Sequence, residues 1–474
     1  MSTFSQANDP YDGFGMSSHQ EVADLNKALE IGYEVDPSQL TSGFPPLRVE
    51  SVDGTLKVVT YTERHISFWK KIPKSSARST VEQYVQLRNY GQGRTGFLPE
   101  GTAPEEDDLD FFRKFERVKY LGRQQKVTHP ATLVQTYIMD AIAAQNMAGA
   151  MWMVRQLEWA LFFGNANLGV GGSDWVEFSG LYNMVDNNWD MAGQPLTEAG
   201  LNDVSQVVLD NFGVPTDLFL PYQVYADINK QFLPKERVVM PTASNGYQAG
   251  VLLNTMVTQA GPVDLNPTFF LGAGDRRSPL TVAPSAATSS KAPTAPASVD
   301  VAAIADGQGD WAKSGALVGG GNLTYRVTAC NRHGESASVE SAGLDIVAND
   351  RSARLTVNNA AQVAVQADYF NIYRQDFGTG SFYWIASVPV ADGQQGNNGT
   401  TQLFDRNAQM PGTYTAFLGE MSNQVLEFKQ LTPLIKMDLA VIEPSIRWML
   451  LLYGVLMLYA PLKWVKISNI GVAG

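Results

Sequence analysis

The sequence predicts an α+β protein whose chain is interrupted by an all-β sandwich, and three observations carry that reading. Residues 133–163 place Ile138, Ile142, Met147, Met151, Val154, Leu157 and Leu161 three to five positions apart, the spacing of a helix with one apolar face. Beyond residue 320, short β-rich runs recur at regular intervals with turn residues between them. After Gly412 the chain becomes densely apolar again, in strands without partners inside the sandwich, so they are expected to rejoin the layer that precedes it.

Residues 1–50 are polar and punctuated by Gly and Pro, with one short helical pattern at 22–29. So few apolar side chains cannot offset their own ordering entropy, and the segment reads as an arm that lies on something else. In residues 51–128, the stretch 55–61 is β-rich and 111–127 mixes apolar and charged residues at short spacing. Between them, residues 72–110 carry Pro73, Gly91, Gly93, Gly96, Pro99, Gly101 and Pro104, which suits a projecting loop better than a packed core.

Charge is sorted within this region. Arg64, Lys70, Lys71, Lys74 and Arg78 form a basic group, Glu100, Glu105, Glu106, Asp107, Asp108 and Asp110 an acidic run, and Arg113, Lys114, Arg117, Lys119, Arg123 and Lys126 a second basic group. An isolated run of this kind is ordinarily a solvated face. On a long loop, complementary blocks can instead set register with a neighbouring copy.

Residues 129–180 hold the long helix, which Gly164 stops; at 1.5 Å per residue it would be about 45 Å long and serve as a spine. In 181–277, Thr197 caps a helix over 197–211 with Gly213 beyond its end. A strand at 217–220, a helix near 223–232 and strands at 250–257 and 269–271 follow. Residues 278–415 open with an Ala/Pro/Ser/Thr linker at 278–298 and continue as strands at 322–328, 353–357, 369–374, 382–388 and 401–404. Residues 416–474 supply 425–428, 435–441 and 448–470. The apolar run 448–462 falls short of the roughly 20 residues a bilayer requires and contains Gly454 and Pro461, so it reads as a buried strand or helix.

Composition narrows the function. A chain of 474 residues, 44% hydrophobic and 17% charged, can bury two or three cores. Its net charge of −12 argues against a general grip on nucleic acid, which needs concentrated Lys and Arg. Cys330 is the only cysteine, so neither an intrachain disulfide nor a Cys-rich zinc site can form. The N-terminus has no basic segment followed by an apolar run, so no secretory signal is expected.

Motifs for chemistry fail on their context. The string Gly91-Gln92-Gly93-Arg94-Thr95-Gly96 matches a dinucleotide-binding pattern by letter, but polar residues precede it and Pro99 follows, where a buried strand and a helix are required. His19, His65, His129 and His333 are scattered, and His129 before Pro130 suits a turn or cap. No nucleophile elbow and no phosphate-binding loop occurs. No catalytic, cofactor-binding or metal-ligating residues are therefore assigned, no cofactor is expected, and an enzyme is not the expectation.

Several strings carry a resemblance: LRVESVDGTLKVVTYTERHISFWKKIPK at 47–74, VKYLGRQQKVTHPATLV at 118–134, WMVRQLEWALFFGN at 152–165 and APLKWVKISNIG at 460–471. With the order of arm, charged loop, long helix and apolar C-terminus, the chain resembles the major capsid proteins of tailed bacteriophages. The resemblance implies an N-terminal arm at 1–48, an extended loop at 66–123 overlapping the adjacent subunit, and the spine helix of a peripheral domain at 133–163. Residues 181–271 with 425–470 would form the axial domain and the closing strands of the peripheral domain.

The implied function is a subunit that assembles into the hexamers and pentamers of an icosahedral shell enclosing the genome. The implied place is the virion capsid, assembled in the host bacterial cytoplasm. Expected partners are further copies of the chain, a scaffolding protein, a portal and a decoration protein, with no sequence-specific nucleic acid and no membrane. The expected contacts between subunits are Arg64, Lys70, Lys71, Lys74, Arg78, Glu105, Glu106, Asp107, Asp108, Arg113, Lys114 and Arg117. No asparagine can be matched to a cross-linking lysine, so no covalent bond between subunits is expected.

Two strings inside the sandwich, LTYRVTACNRHGESASVESA at 323–342 and YFNIYR at 369–374, resemble fibronectin type III or immunoglobulin-like domains, implying a surface-displayed insertion. The alternative function is a phage tail or surface adhesin in which Tyr369, Tyr373, Phe382, Tyr383 and Trp384 stack on sugars. These aromatics alternate within strands, and the ordinary reading of that pattern is core.

Overall fold

One long helix and two sheets, each assembled from sequence-distant strands, make the body of the protein. A computed structural model describes residues 65–89, 97–103, 110–133, 141–232, 239–242, 246–249, 253–314, 322–346, 348–359, 365–376, 380–392, 399–440 and 443–472. The expected arm, the β-rich stretch 55–61, the glycine string 91–96, Arg64 and the acidic residues Glu105, Glu106, Asp107 and Asp108 lie outside the described residues.

The first sheet runs β1 (Lys74–Ser76), β16 (Leu426–Asp438), β17 (Ser445–Leu458) and β4 (Lys119–Thr128). Strand β1 is parallel to β16 and the other pairs are antiparallel. Along β17 the pattern alternates from Trp448 through Leu450 and Leu452, buried side chains facing helix α3 (Ala141–Phe163), as a half-buried strand requires. Helix α3 answers with Met153, Leu157 and Leu161, and its last two turns add Trp159, Phe162 and Phe163, so that end is enclosed on nearly every side. The short helix α1 (Phe68–Lys71) is pinned there by Phe68, whose ring stacks on Phe162 and meets Phe219 edge-on, and a second short helix, α2 (His129–Leu133), follows β4 directly.

The second sheet is mixed and six-stranded. Its order is β5 (Asn187–Asp190), β18 (Trp464–Ile470), β15 (Tyr414–Gly419), β6 (Asp217–Pro221), β8 (Gly261–Thr268) and β7 (Thr255–Thr258). Every residue of β6 is buried, because its two faces serve different cores. Phe219, Phe417 and Trp464 point to the core of α3, while Leu218, Leu220, Leu418 and Ile467 pack under α4 (Glu198–Asp210) and α5 (Tyr222–Phe232). Helix α4 begins as the sequence predicts, with the Thr197 hydroxyl accepting the Gly200 N–H at 3.1 Å.

Between β8 and β15 the chain leaves the body. Strands β9 (Ser298–Ala305), β11 (Arg351–Asn358) and β14 (Thr400–Asp405) form one antiparallel sheet, and β10 (Tyr325–Asn331), β12 (Tyr369–Gln375) and β13 (Phe382–Pro389) form the centre of another. Both line a single core that holds Val299, Trp311, Tyr325, Val327, Leu355, Phe370 and Ile372. The C-terminal chain returns to the body, but only in part as expected: β18 pairs with β5 and β15 with β6, in the layer that precedes the sandwich, whereas β16 and β17 pair with β1 and β4 of the first sheet.

Several expectations are corrected. Residues 269–271 are not a strand; Phe269–Gly272 is a helical turn, and the strand lies just before it in β8, where Pro262 and Pro267 obscure the β signal. The strand expected at 250–257 is described as Thr255–Thr258. The strands expected at 425–428 and 435–441 are one, β16 (Leu426–Asp438), whose register slips on either side of Thr432, beside Pro433; residue 441 lies outside the described residues. The run 448–470 is two strands parted by a turn at Pro461–Lys463. Among the described residues no helix is long and apolar enough to cross a membrane.

The segment 278–297 is not a free linker: backbone bonds join Ala283 to Phe382, Thr288 to Glu335 and Ser338 to Pro284, strapping it onto the sandwich. Much of the excursion 72–110 is likewise not loop. Strand β2 (Val81–Asn89) pairs antiparallel with β3 (Asp110–Arg117), and together they form a two-stranded ribbon.

Candidate interaction surface

The ribbon has two unlike faces because strand side chains alternate and cross-strand partners share a face. Glu82, Tyr84 and Gln86 of β2 lie on the inner face with Phe112, Lys114 and Glu116 of β3. The Tyr84 hydroxyl donates to the Leu458 carbonyl at 3.2 Å, its ring meets Tyr459 edge-on at 5.0 Å, and Gln86 donates to the Tyr459 carbonyl. Buried Glu82 accepts the N–H groups of Arg78 (2.7 Å) and Ser79 (3.0 Å) and pairs with Lys429 at 3.1 Å. Burial pushes its carboxyl up, but these donors outweigh it and hold Glu82 below the usual carboxylate range.

The outer face carries Val81, Gln83, Val85 and Leu87 opposite Arg117, Phe115, Arg113 and Phe111. All eight are exposed, with Val85 at 58%, Phe111 at 59% and Phe115 at 59%. Five apolar side chains in one stripe exceed the scattered exposure normal for a surface, and such patches mark contact with another molecule. Two arginines lie among them, so the stripe is apolar and cationic at once.

The charges expected to meet a neighbour separate into two groups. Lys71 is committed within the chain, reaching Asp217 at 2.6 Å and Asp264 at 3.1 Å; burial works against its ammonium, but the two carboxylates raise it above the ordinary lysine value. Arg117 reaches Asp174 at 3.3 Å. Lys74 lies over the Trp69 ring at 4.2 Å, and Lys70 and Arg78 are exposed. Arg113 is on the outer face and Lys114 on the inner one.

Sequence reasoning nominated the charges and passed over Val81, Val85, Leu87, Phe111 and Phe115. Their period-2 spacing was a legible signal, but spacing alone does not say which face is covered. The aromatics considered for sugar stacking are mostly core: Tyr373 is fully buried, and Phe382 and Trp384 are nearly so. Among the described residues no cluster of His, Cys, Asp and Glu could hold a metal ion.

Residues 41–277 match the family described as SU10 major capsid protein. The chain is 30% identical over 454 residues to the major capsid protein of Staphylococcus phage K, covering 94% of this chain and 95% of that protein. It matches the major capsid protein of Staphylococcus phage S25-3 with the same identity and coverage. Among solved structures, the capsid of Myoviridae Phage XM1 aligns over 89% of this chain and 97% of its own, with a TM-score of 0.44 and 10% identity.

Proposed function

The chain belongs to the SU10 family of phage major capsid proteins, and on that footing we propose that it builds the shell through the outer face of the β2–β3 ribbon. As a member of that family it is a structural component of the virion capsid, a class that is not enzymatic. In the proposed arrangement the subunits form hexamers and pentamers, and the stripe of Val81, Val85, Leu87, Phe111 and Phe115 lies on the adjacent subunit, with Arg113 setting register against an acidic partner.

The observation that carries this reading is a ribbon whose inner face is bonded to its own core while its outer face leaves five large apolar side chains in water. Burying each would contribute about 1.5–3 kcal/mol, repeated at every contact of a closed lattice. Residues 298–405 project from the body as a displayed immunoglobulin-like insertion in the same proposal. A scaffolding protein, a portal and a decoration protein remain the expected partners.

The test is electron microscopy of the purified chain, alone and with the scaffolding protein of the same genome. The wild type should give closed shells or hexameric sheets. The double substitution Val85→Asp with Phe115→Asp should abolish them while leaving the thermal unfolding of the free subunit unchanged, since both side chains are exposed. Shells at wild-type yield from that variant would refute the assignment of this face.

A further inference from the structure

A cleft of about 330 Å³ lies where the sandwich meets the body, walled by Trp175 and Glu177 after helix α3, by Arg276 and Arg277 where the chain leaves the body, and by Arg332 and Glu335 of a sandwich turn. Arg277 forms its floor. It is 3% exposed, and its guanidinium lies 5.1 Å from the centre of the Trp159 ring and 5.4 Å from that of Tyr369. One of its nitrogens, Nη2, donates to Glu177.

Three donors in this corner lack acceptors. Among the described residues, Nε and Nη1 of Arg277 meet no hydrogen-bond partner, and neither does the indole Nε1 of Trp175, itself only 8% exposed. A buried donor left unpaired is destabilising, more so when it is charged. Three such donors, on two residues that both line the cleft, leave acceptor positions unfilled there.

Charge at the mouth points the same way. Arg276 and Arg332 are exposed at the rim. The two carboxylates of the cleft are already engaged: Glu177 by Arg277, and Glu335 by the Tyr373 hydroxyl at 2.5 Å, Asn371 Nδ2 at 3.1 Å and Thr328. In a chain of net charge −12, a corner with surplus guanidinium is a local exception.

The backbone is also bent to make it. Arg276 and Arg277 are consecutive non-glycine residues with φ of 30° and 40°, a strained conformation that persists where surrounding structure enforces it. Here the Trp159 indole of α3 holds the turn by donating to the carbonyls of Asp275 (2.7 Å) and Arg276 (3.1 Å).

We propose that this cleft binds one oxyanion of the phosphate class, held by Arg277 and the Trp175 indole and closed over by Arg276 and Arg332. A carboxylate offers two oxygens in one plane. A phosphate offers oxygens in several directions, which suits a cleft whose donors come from several residues. Because the rim comes from the body and from the sandwich, the bound anion ties the two together.

The experiment titrates the full-length protein with inorganic phosphate in chloride buffer at fixed ionic strength, by calorimetry and by thermal melting. Saturable binding of one phosphate per chain and a rise in melting temperature are expected, with acetate about tenfold weaker or worse. Substituting the exposed pair, Arg276→Ala with Arg332→Ala, should preserve the circular dichroism spectrum and weaken phosphate by about tenfold or more, since two charge-assisted contacts at the rim are lost. Absence of saturable binding, an unchanged affinity in the double variant, or acetate binding as tightly as phosphate would each overturn the proposal.

Discussion

Glu158 shows how much one side chain can organise. It is fully buried near the end of α3, and its carboxylate accepts the N–H groups of Ser67 (3.0 Å), Phe68 (2.7 Å) and Trp69 (2.8 Å) at the start of α1. Those are donors that a helix start cannot satisfy for itself, and the helix dipole favours an anion there. Burial pushes the Glu158 carboxyl up, and although the three N–H bonds oppose it, the net shift is above the ordinary value. Replacing Glu158 with Ala orphans all three donors, at about 1–3 kcal/mol for each group left buried and unpaired. Glu158→Gln should cost less, because one amide oxygen can keep the Ser67 and Phe68 bonds while its NH₂ opposes the Trp69 N–H. Urea unfolding should therefore rank wild type, Gln and Ala in descending order, and an Ala variant as stable as wild type would refute the capping role. In the sequence Glu158 is visible as an acid between Leu157 and Trp159, but its partners lie about 90 positions away and no local pattern connects them.

At the scale of elements, Gly149 sets how closely α3 approaches the first sheet. A Cβ built there would lie 2.7 Å from Leu450 Cδ1 and against the amide of Gln125, whose Nε2 donates to the Gln145 carbonyl. Glycine ordinarily weakens a helix by about 0.8–1.0 kcal/mol relative to alanine. Its presence mid-helix is explained by this contact. Gly149→Val forces the Leu450 and Gln125 side chains to shift, at the expense of the Gln125–Gln145 bond, and should destabilise by about 1–3 kcal/mol, lowering the midpoint of chemical unfolding. A gain in stability would mean that helix propensity, not packing, governs the position.

The elements that the sequence revealed are those with strong local signals: the apolar period of α3, the Thr197 cap of α4, and the evenly spaced strands from Tyr325 to Asp405. Those it concealed depend on distant partners. Strand β2 is followed by a Gly- and Pro-rich stretch that hides its alternating pattern, and its place in the fold comes from pairing with β3. Phe269, Phe270 and Leu271 are apolar, yet three residues are too few for a period to separate helix from strand. The candidate interaction surface was half legible for the same reason. Its arginines were nominated as charges, but the exposure of Phe111 and Phe115 follows from Tyr84 and Gln86 occupying the other face.

Over the whole molecule, the sandwich is joined to the body through residues that titrate. Asn469 in β18, with φ of 56°, accepts the Met410 N–H at 2.7 Å and donates through Nδ2 to the Ala408 carbonyl and to Asp190 at the end of β5. Asp190 also accepts from Lys313 of the sandwich at 2.6 Å and from the Ala192 N–H at 2.8 Å. Burial raises the Asp190 carboxyl, but Lys313, Asn469 and Ala192 together bring it below its ordinary value. A carboxylate depressed in the folded state contributes stability above the unfolded value, near 3.9, and loses it as pH falls through the folded one. Protonation of Asp190 should therefore loosen the junction on acidification, whereas Asp190→Asn has no such charge to lose. Wild type should melt at a higher temperature than the Asn variant at pH 6, and the gap should close as pH falls below about 4. The sandwich core contains its own buried pair, Arg374 with Asp405 at 2.7 Å, which both proteins share and which cancels in the comparison. A gap equal at pH 3 and pH 6 would show that Asp190 acts through packing alone, and that the junction is not held by charge.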